Sequence, residues 1–301
     1  MLPFDPKQPR MSTPEELKAQ QEEIIRSSAY RIAQEDTEFM ALPELRSVRL
    51  QLEYLKPSVY LRKYGIESTV VVFGSARINP PEIAQAHYHD AKAAAEARPN
   101  DAGAVQDLIN AERRIGYSRY YEQARCFARM LSEQFQLTER RDFAITTGGG
   151  PGIMEAANRG AYEAGALSIG HNITLPHEQR PNPYITPELA FHFHYFALRK
   201  MHMLLHARAL VSFPGGYGTM DELFEVLTLI QTGKVERIPI ILFGRDFWSK
   251  AINFDFLVEE GMIAPNDAGL VTVVEKAEEA MEILRDFYQL TPGHRGPGGT
   301  D

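Results

Sequence analysis

The sequence predicts a doubly wound α/β protein, on two observations. From residue 67 onward, short apolar runs rich in β-branched residues alternate with stretches of helical periodicity. Two of the junctions from strand to helix are unusually rich in glycine, Thr147-Gly148-Gly149-Gly150-Pro151-Gly152 and Phe213-Pro214-Gly215-Gly216-Tyr217-Gly218-Thr219. Strands that alternate with helices pair in parallel, with the helices on both faces of the sheet.

The elements follow in order. Residues 1–12 are Pro-rich and read as mobile. Thr13-Pro14-Glu15-Glu16 has the N-cap, N1 and N3 residues of a helix start, and helical pattern runs with breaks to about Tyr60. Residues 1–66 are therefore read as a largely helical extension packed on the main domain, which occupies 67–290. Glu67–Ser75 is a buried β-branched strand ending in small residues. Residues 80–137 carry no strand signal; Ala84–Ala97 and Ala104–Leu137 read as an inserted helical pair split at Arg98-Pro99-Asn100-Asp101. Strands are then expected at Phe143–Thr147, Leu167–Ile173, Ala190–His194, Leu210–Phe213, Ile238–Phe243 and Leu270–Val274. Helices are expected at Ile153–Ala164, Phe196–Ala207, Met220–Thr232, Asp246–Glu260 and Ala277–Gln289. Residues 291–301 lack apolar side chains and read as a disordered tail. The fold class is thus a Rossmann-like doubly wound parallel sheet with helices on both faces and an N-terminal helical extension.

Composition narrows the function. The 301 residues are 44% hydrophobic and carry a net charge of −8, against the basic footprint that nonspecific nucleic-acid binding needs. No apolar run approaches a membrane span, and the N-terminus has no secretory h-region. The lone cysteine, Cys126, excludes an intrachain disulfide and fits a reducing, cytoplasmic setting. A local anion site is compatible with an acidic chain. Three glycines among residues 215–218, between a strand and a helix, let backbone N–H groups meet a phosphate at the positive end of the helix. The turn lacks the Lys of a P-loop and is not G-x-G-x-x-G. Two such turns in one sheet point to a nucleotide at the carboxyl ends of parallel strands.

The residues Gly148-Gly149-Gly150-Pro151-Gly152-Ile153-Met154-Glu155-Ala156-Ala157 and Pro214-Gly215-Gly216-Tyr217-Gly218-Thr219-Met220-Asp221-Glu222 resemble the paired signatures of the Lonely Guy family. Its members are nucleoside 5'-monophosphate phosphoribohydrolases, long labelled lysine decarboxylases. The resemblance spans about Val70 to Gln289 and includes Arg199-Lys200 and Pro176-His177-Glu178. The helical segments before and after the first strand look like those of longer bacterial members. The resemblance implies hydrolysis of AMP or a cytokinin riboside monophosphate to free base and ribose 5-phosphate, without metal or cofactor. It also implies a homodimer or larger assembly, which the widely apolar helices at 196–207 and 223–230 would suit. By the same resemblance Glu222 and Arg199 are the catalytic pair. Lys200, Thr228 and Glu178 would contact the nucleotide, with Gly149, Gly150, Gly215, Gly216, Tyr217, Gly218 and Thr219 in the two turns. Ser75, ending the first strand, is a further ribose or phosphate contact.

Other readings compete. Thr219-x-x-Glu222 also fits a capping box, so spacing alone would make Glu222 a helix cap. Gly148, Gly149 and Gly150 could instead serve only close helix–strand packing. His202 and His206 lie one helical turn apart, with His192 and His194 alternating on a strand, but H-x-x-x-H without the Glu of H-E-x-x-H favours aromatic packing over zinc. A noncatalytic nucleotide or molybdenum-cofactor carrier would use the same sheet, but it has no need of an Arg–carboxylate pair. A pyridoxal phosphate decarboxylase would need a Schiff-base Lys, for which no Lys here has the setting. The base is left open between adenine, modified adenine and others; Met201 and Met203 are candidates to contact it.

Overall fold

The computed structural model describes residues 13–136, 141–174 and 180–289. The Pro-rich N-terminus, Glu178 and the C-terminal tail lie outside these residues. The chain divides into two compact units, Met1–Leu52 and Glu53–Asp301.

The first unit holds helices α1 (Pro14–Arg26) and α2 (Thr37–Met40) and the beginning of α3 (Arg46–Lys63). The capping box forms as the sequence predicts: Thr13 Oγ1 accepts from the Glu16 N–H at 3.3 Å, and Glu16 Oε2 accepts from the Thr13 N–H at 2.8 Å. Asp36 caps α2 through the N–H groups of Glu38 and Phe39.

The second unit is built on seven parallel strands. They are β1 (Thr69–Phe73), β2 (Ala144–Thr147), β3 (Ser168–Ile173), β4 (Ala190–Phe193), β5 (Ala207–Ser212), β6 (Ile240–Phe243) and β7 (Val271–Val274). Their spatial order is β4-β3-β2-β1-β5-β6-β7. Helices α4 (Pro81–Ala97) and α5 (Ala102–Phe135) fill the first crossover, as the absence of strand signal there predicts. Asp101 ends the break by capping α5, accepting from the Gly103 and Ala104 N–H groups. The remaining helices are α6 (Ile153–Glu163), α7 (Phe196–Leu205), α8 (Tyr217–Gln231), α9 (Arg245–Ala251), α10 (Phe254–Glu259), α11 (Pro265–Ala268) and α12 (Ala277–Tyr288).

Both faces of the sheet are covered, so the central strands are apolar throughout rather than alternating. Every residue of β1 is buried. Val70 and Val72 join Tyr121, Phe127 and Leu131 of α5, Ile153 of α6 and Met281 and Leu284 of α12 in one core. Val71 and Phe73 point the other way, into a core with Met203 of α7, Leu223 and Val226 of α8 and Trp248 of α9. A third cluster joins Leu61 of α3 to Ile169 of β3 and Phe191 and Phe193 of β4.

Among the boundaries that differ from expectation, three bear on the site or the reading of the helices. The helix expected over Asp246–Glu260 is two, because Ile252 is extended and Asn253 starts a new helix by accepting from the Phe256 N–H at 3.0 Å. Strand β5 begins at Ala207, three residues early, directly after α7. Helix α8 starts at Tyr217 rather than Met220, and this changes the reading of its acidic residues.

Candidate active site

The sheet order places a switch point between β1 and β5: successive crossovers carry the chain outward from β1 on one side and from β5 on the other. A crevice opens at the carboxyl ends of two such strands, where α/β sheets take their ligands. The turns leaving β1 and β5 are joined, Phe213 N–H to Phe73 O at 2.8 Å and Ser75 N–H to Pro214 O at 3.0 Å. Above them lies a cavity of about 640 Å³, lined by Ser75, Arg77, Gly148, Met154, Arg199 and the run Gly215–Met220.

Glycine is required where the turns around this cavity pack closely. Gly152 has φ +72°, and a Cβ there would strike the backbone of Ser75 and Ala76, so the turn after β2 lies directly against the turn after β1. A Cβ on Gly215 would collide with the buried Thr219 side chain. Gly216 and Gly218 instead face open space. Gly216 O accepts from the Thr219 and Met220 N–H groups, which starts α8. The first turn of the helix, at Tyr217 and Gly218, therefore brings its N–H groups and its positive dipole end to the cavity.

The second glycine turn contributes differently. Gly148 lines the cavity, whereas Gly149 and Gly150 are buried behind it. The Gly149 N–H donates to Thr147 Oγ1 at 2.9 Å, and Gly149 O accepts from the Asn182 N–H at 2.9 Å. Asn182 Nδ2 donates to Gly150 O at 3.1 Å and to Asn158 Oδ1 at 2.9 Å; Thr147 Oγ1 also donates to Asn158 Oδ1. This buried network holds the turn rigid but uses the Gly149 N–H, which leaves that group no free proton for a phosphate. A polar Asn158 among Ile153, Ala156, Ala157 and Ala161 on the buried face of α6 was the readable sign of it.

Arg199, from α7, lines the cavity and meets Glu222, from the second turn of α8, which is buried behind that lining. Arg199 Nη2 donates to Glu222 Oε1 at 3.1 Å, with side chains 13% and 2% exposed. The guanidinium also lies 5.2 Å from the centre of the Phe196 ring. Glu222 Oε2 and Arg199 Nε are buried with no hydrogen-bond partner. Because α8 starts at Tyr217, Thr219 is its third residue and not its cap, so the capping-box reading of Glu222 falls. Burial pushes the Glu222 carboxyl up to about 7, against the pull of Arg199 and Lys200, with Glu225 and Asp221 adding to the rise. A carboxyl poised near neutrality beside a fixed guanidinium is equipped to exchange a proton or to face a developing positive charge.

The other expected residues divide. Ser75, Arg199, Gly215, Gly216, Tyr217, Gly218 and Thr219 come together in the cavity. Lys200 and Thr228 line a neighbouring groove along α8, which shares Tyr217 and Met220 with the first cavity. Lys200 Nζ pairs there with Asp221 at 2.6 Å and Glu225 at 3.1 Å, and Thr228 Oγ1 donates to Phe224 O at 2.7 Å. Met203 is fully buried in the core, while Met154 reaches the cavity. His202 packs between Tyr54 and Phe193, and among the described residues no three His, Cys, Asp or Glu side chains cluster as metal ligands. Arg77 and Met154 are cavity residues that the sequence analysis did not single out.

Comparison with known proteins bears on the family. Residues 154–284 match a family model described as possible lysine decarboxylase. The cytokinin riboside 5'-monophosphate phosphoribohydrolases LOG1 and LOG7 of Arabidopsis thaliana are 30% and 31% identical, each over 50% of this chain, covering 71% and 70% of their own lengths. A solved molybdenum cofactor binding protein from Rippkaea orientalis aligns at 20% identity over 56% of this chain and 88% of its own, with a TM-score of 0.39, too remote to bear on function. No helix among the described residues is long and apolar enough to cross a membrane. With both glycine-rich turns and the Arg199–Glu222 pair at the switch point, and with relatives at this identity and coverage, the chain belongs to the Lonely Guy family of nucleotide phosphoribohydrolases.

Proposed function

We propose that this protein hydrolyses the N-glycosidic bond of nucleoside 5'-monophosphates, AMP or a cytokinin riboside monophosphate, to free base and ribose 5-phosphate. The observation that carries the reading is the buried Arg199–Glu222 contact at the wall of a cavity floored by a helix N-terminus. The 5'-phosphate would rest on the first turn of α8, at Gly216, Tyr217 and Gly218. That anchor turns the sugar toward Glu222. The C1'–N bond breaks with its electron pair leaving on the base, and positive charge builds on the sugar ring, as in other glycoside hydrolysis. The ionised Glu222 carboxylate stabilises that charge and draws the proton from the water that adds to C1'. The proton leaves with the base. Arg199 holds the carboxylate in place.

A homodimer or larger assembly in the cytoplasm accompanies this reading. Phe196, Leu205, Tyr217 and Phe224 of α7 and α8 are 40–95% exposed, more apolar surface than these helices need to cover the sheet. The test is a panel of nucleoside monophosphates and their nucleosides, with free base detected by chromatography. Base release from at least one monophosphate, and little from the matching nucleoside, is expected. Binding without any base release would leave a noncatalytic carrier and overturn the hydrolase reading.

A further inference from the structure

We infer that Arg77 is the cation that recognises the substrate's 5'-phosphate, and so sets the preference for nucleotides over nucleosides; the inference rests on the functional reading above. Among the described residues, those lining the cavity include two guanidiniums, Arg77 and Arg199, and no carboxylate. Arg199 is committed to Glu222. Lys200, in the neighbouring groove, is held by Asp221 and Glu225. Arg77 has no ion pair and no side-chain hydrogen bond among the described residues, and it is exposed to the cavity mouth. Among the described lining residues it is the one positive charge left over for a ligand.

The turn that carries Arg77 is fixed. Ser75 N–H donates to Pro214 O at 3.0 Å, and Ser75 O accepts from the Ile153 N–H at 3.2 Å. Ser75 Oγ accepts from the Arg77 N–H at 3.1 Å. The next residue, Ile78, is buried in the core. Arg77 thus stands on a braced backbone and lines the same cavity as the open glycines Gly216 and Gly218. A dianion on the N-terminus of α8 would lie between the helix dipole and a guanidinium able to donate two parallel hydrogen bonds. The helix start alone is a weak, screened anion site; an added guanidinium makes it selective for a phosphate ester.

The test measures binding of AMP and adenosine by calorimetry to the wild type, Arg77→Ala and Arg77→Lys, together with kcat and KM for base release from AMP. Arg77→Ala is expected to weaken AMP binding about 10- to 100-fold and leave adenosine unchanged. Arg77→Lys should recover part of the loss, and the AMP affinity of Arg77→Ala should fall less steeply with added salt. AMP and adenosine shifting together, or neither shifting, would overturn the assignment, and base release in the wild type would then still support the hydrolase reading. AMP binding that depends on Arg77 without base release in the wild type would support this inference while overturning that reading. Failure of the wild type to bind AMP would overturn both.

Discussion

Replacing Glu222 by Gln tests the electrostatics of the site without reference to any substrate. The carboxyl is raised from 4.5 to about 7 by burial, a difference worth about 3 kcal/mol. Its sign is set by linkage. A group whose folded pKa is raised binds more protons folded than unfolded between those two values, so stability falls as pH rises from about 4.5 to 7 and stays lower above it. Gln at 222 does not titrate, keeps nearly the same volume and can still accept from Arg199 Nη2. The stability of Glu222→Gln relative to wild type should therefore climb by about 3 kcal/mol between pH 4.5 and pH 8. The molecule offers a clean probe: Trp248 is its single tryptophan, 2% exposed, with its indole N–H donating to Phe243 O. Urea unfolding followed by Trp248 fluorescence at a series of pH values gives the difference directly. Two stability curves that run parallel across that range would show that Glu222 is not desolvated as the structure has it, and the reasoning would fail.

Other outcomes follow from the same geometry. If the ionised carboxylate does the work, kcat/KM for base release from AMP should rise with pH through about 7; a profile flat between pH 5.5 and 8.5 would contradict this. Arg199→Ala strips the partner from a buried carboxylate and should cost about 3–5 kcal/mol of stability at pH 8, besides activity, read by the same urea titration; a loss under about 1 kcal/mol would mean the pair is solvated. Gly152→Ala combines a positive φ with a clash on the β1 turn and should cost more than about 1–3 kcal/mol, whereas Gly218→Ala, facing open space, should leave thermal stability nearly unchanged and weaken AMP binding.

Much of this was legible in the sequence because it rests on local rules. The buried run at β1, the glycine turns after β2 and β5 and the Thr13–Glu16 capping box each depend on a few neighbouring residues. What escaped depends on how distant elements cross. The alternative of Glu222 as a cap came from the Thr219-x-x-Glu222 spacing with a helix start at Met220, whereas α8 begins where Gly216 O accepts from Thr219 and Met220, three residues earlier. The spacing of Lys200 from Arg199 gives no hint that one points to Asp221 and Glu225 and the other to Glu222; that follows from the packing of α7 on α8. Gly149 and Gly150 look as available as Gly148 until Asn158 and Asn182 are seen to hold them. The break before α10 was readable after all, since Asn253 is a good N-cap in the middle of an apparently continuous helix.

If the Arg199–Glu222 contact cleaves the glycosidic bond of a nucleotide held at the β1–β5 switch point, incubation of AMP with the wild type and with Glu222→Gln, quantifying adenine and ribose 5-phosphate together, will show it. The wild type should release the two products in equal amounts. Glu222→Gln should bind AMP comparably and release them at least about 10²-fold more slowly. Equal rates from the two proteins, with the variant folded and binding AMP, would contradict the assignment of Glu222 to the chemistry.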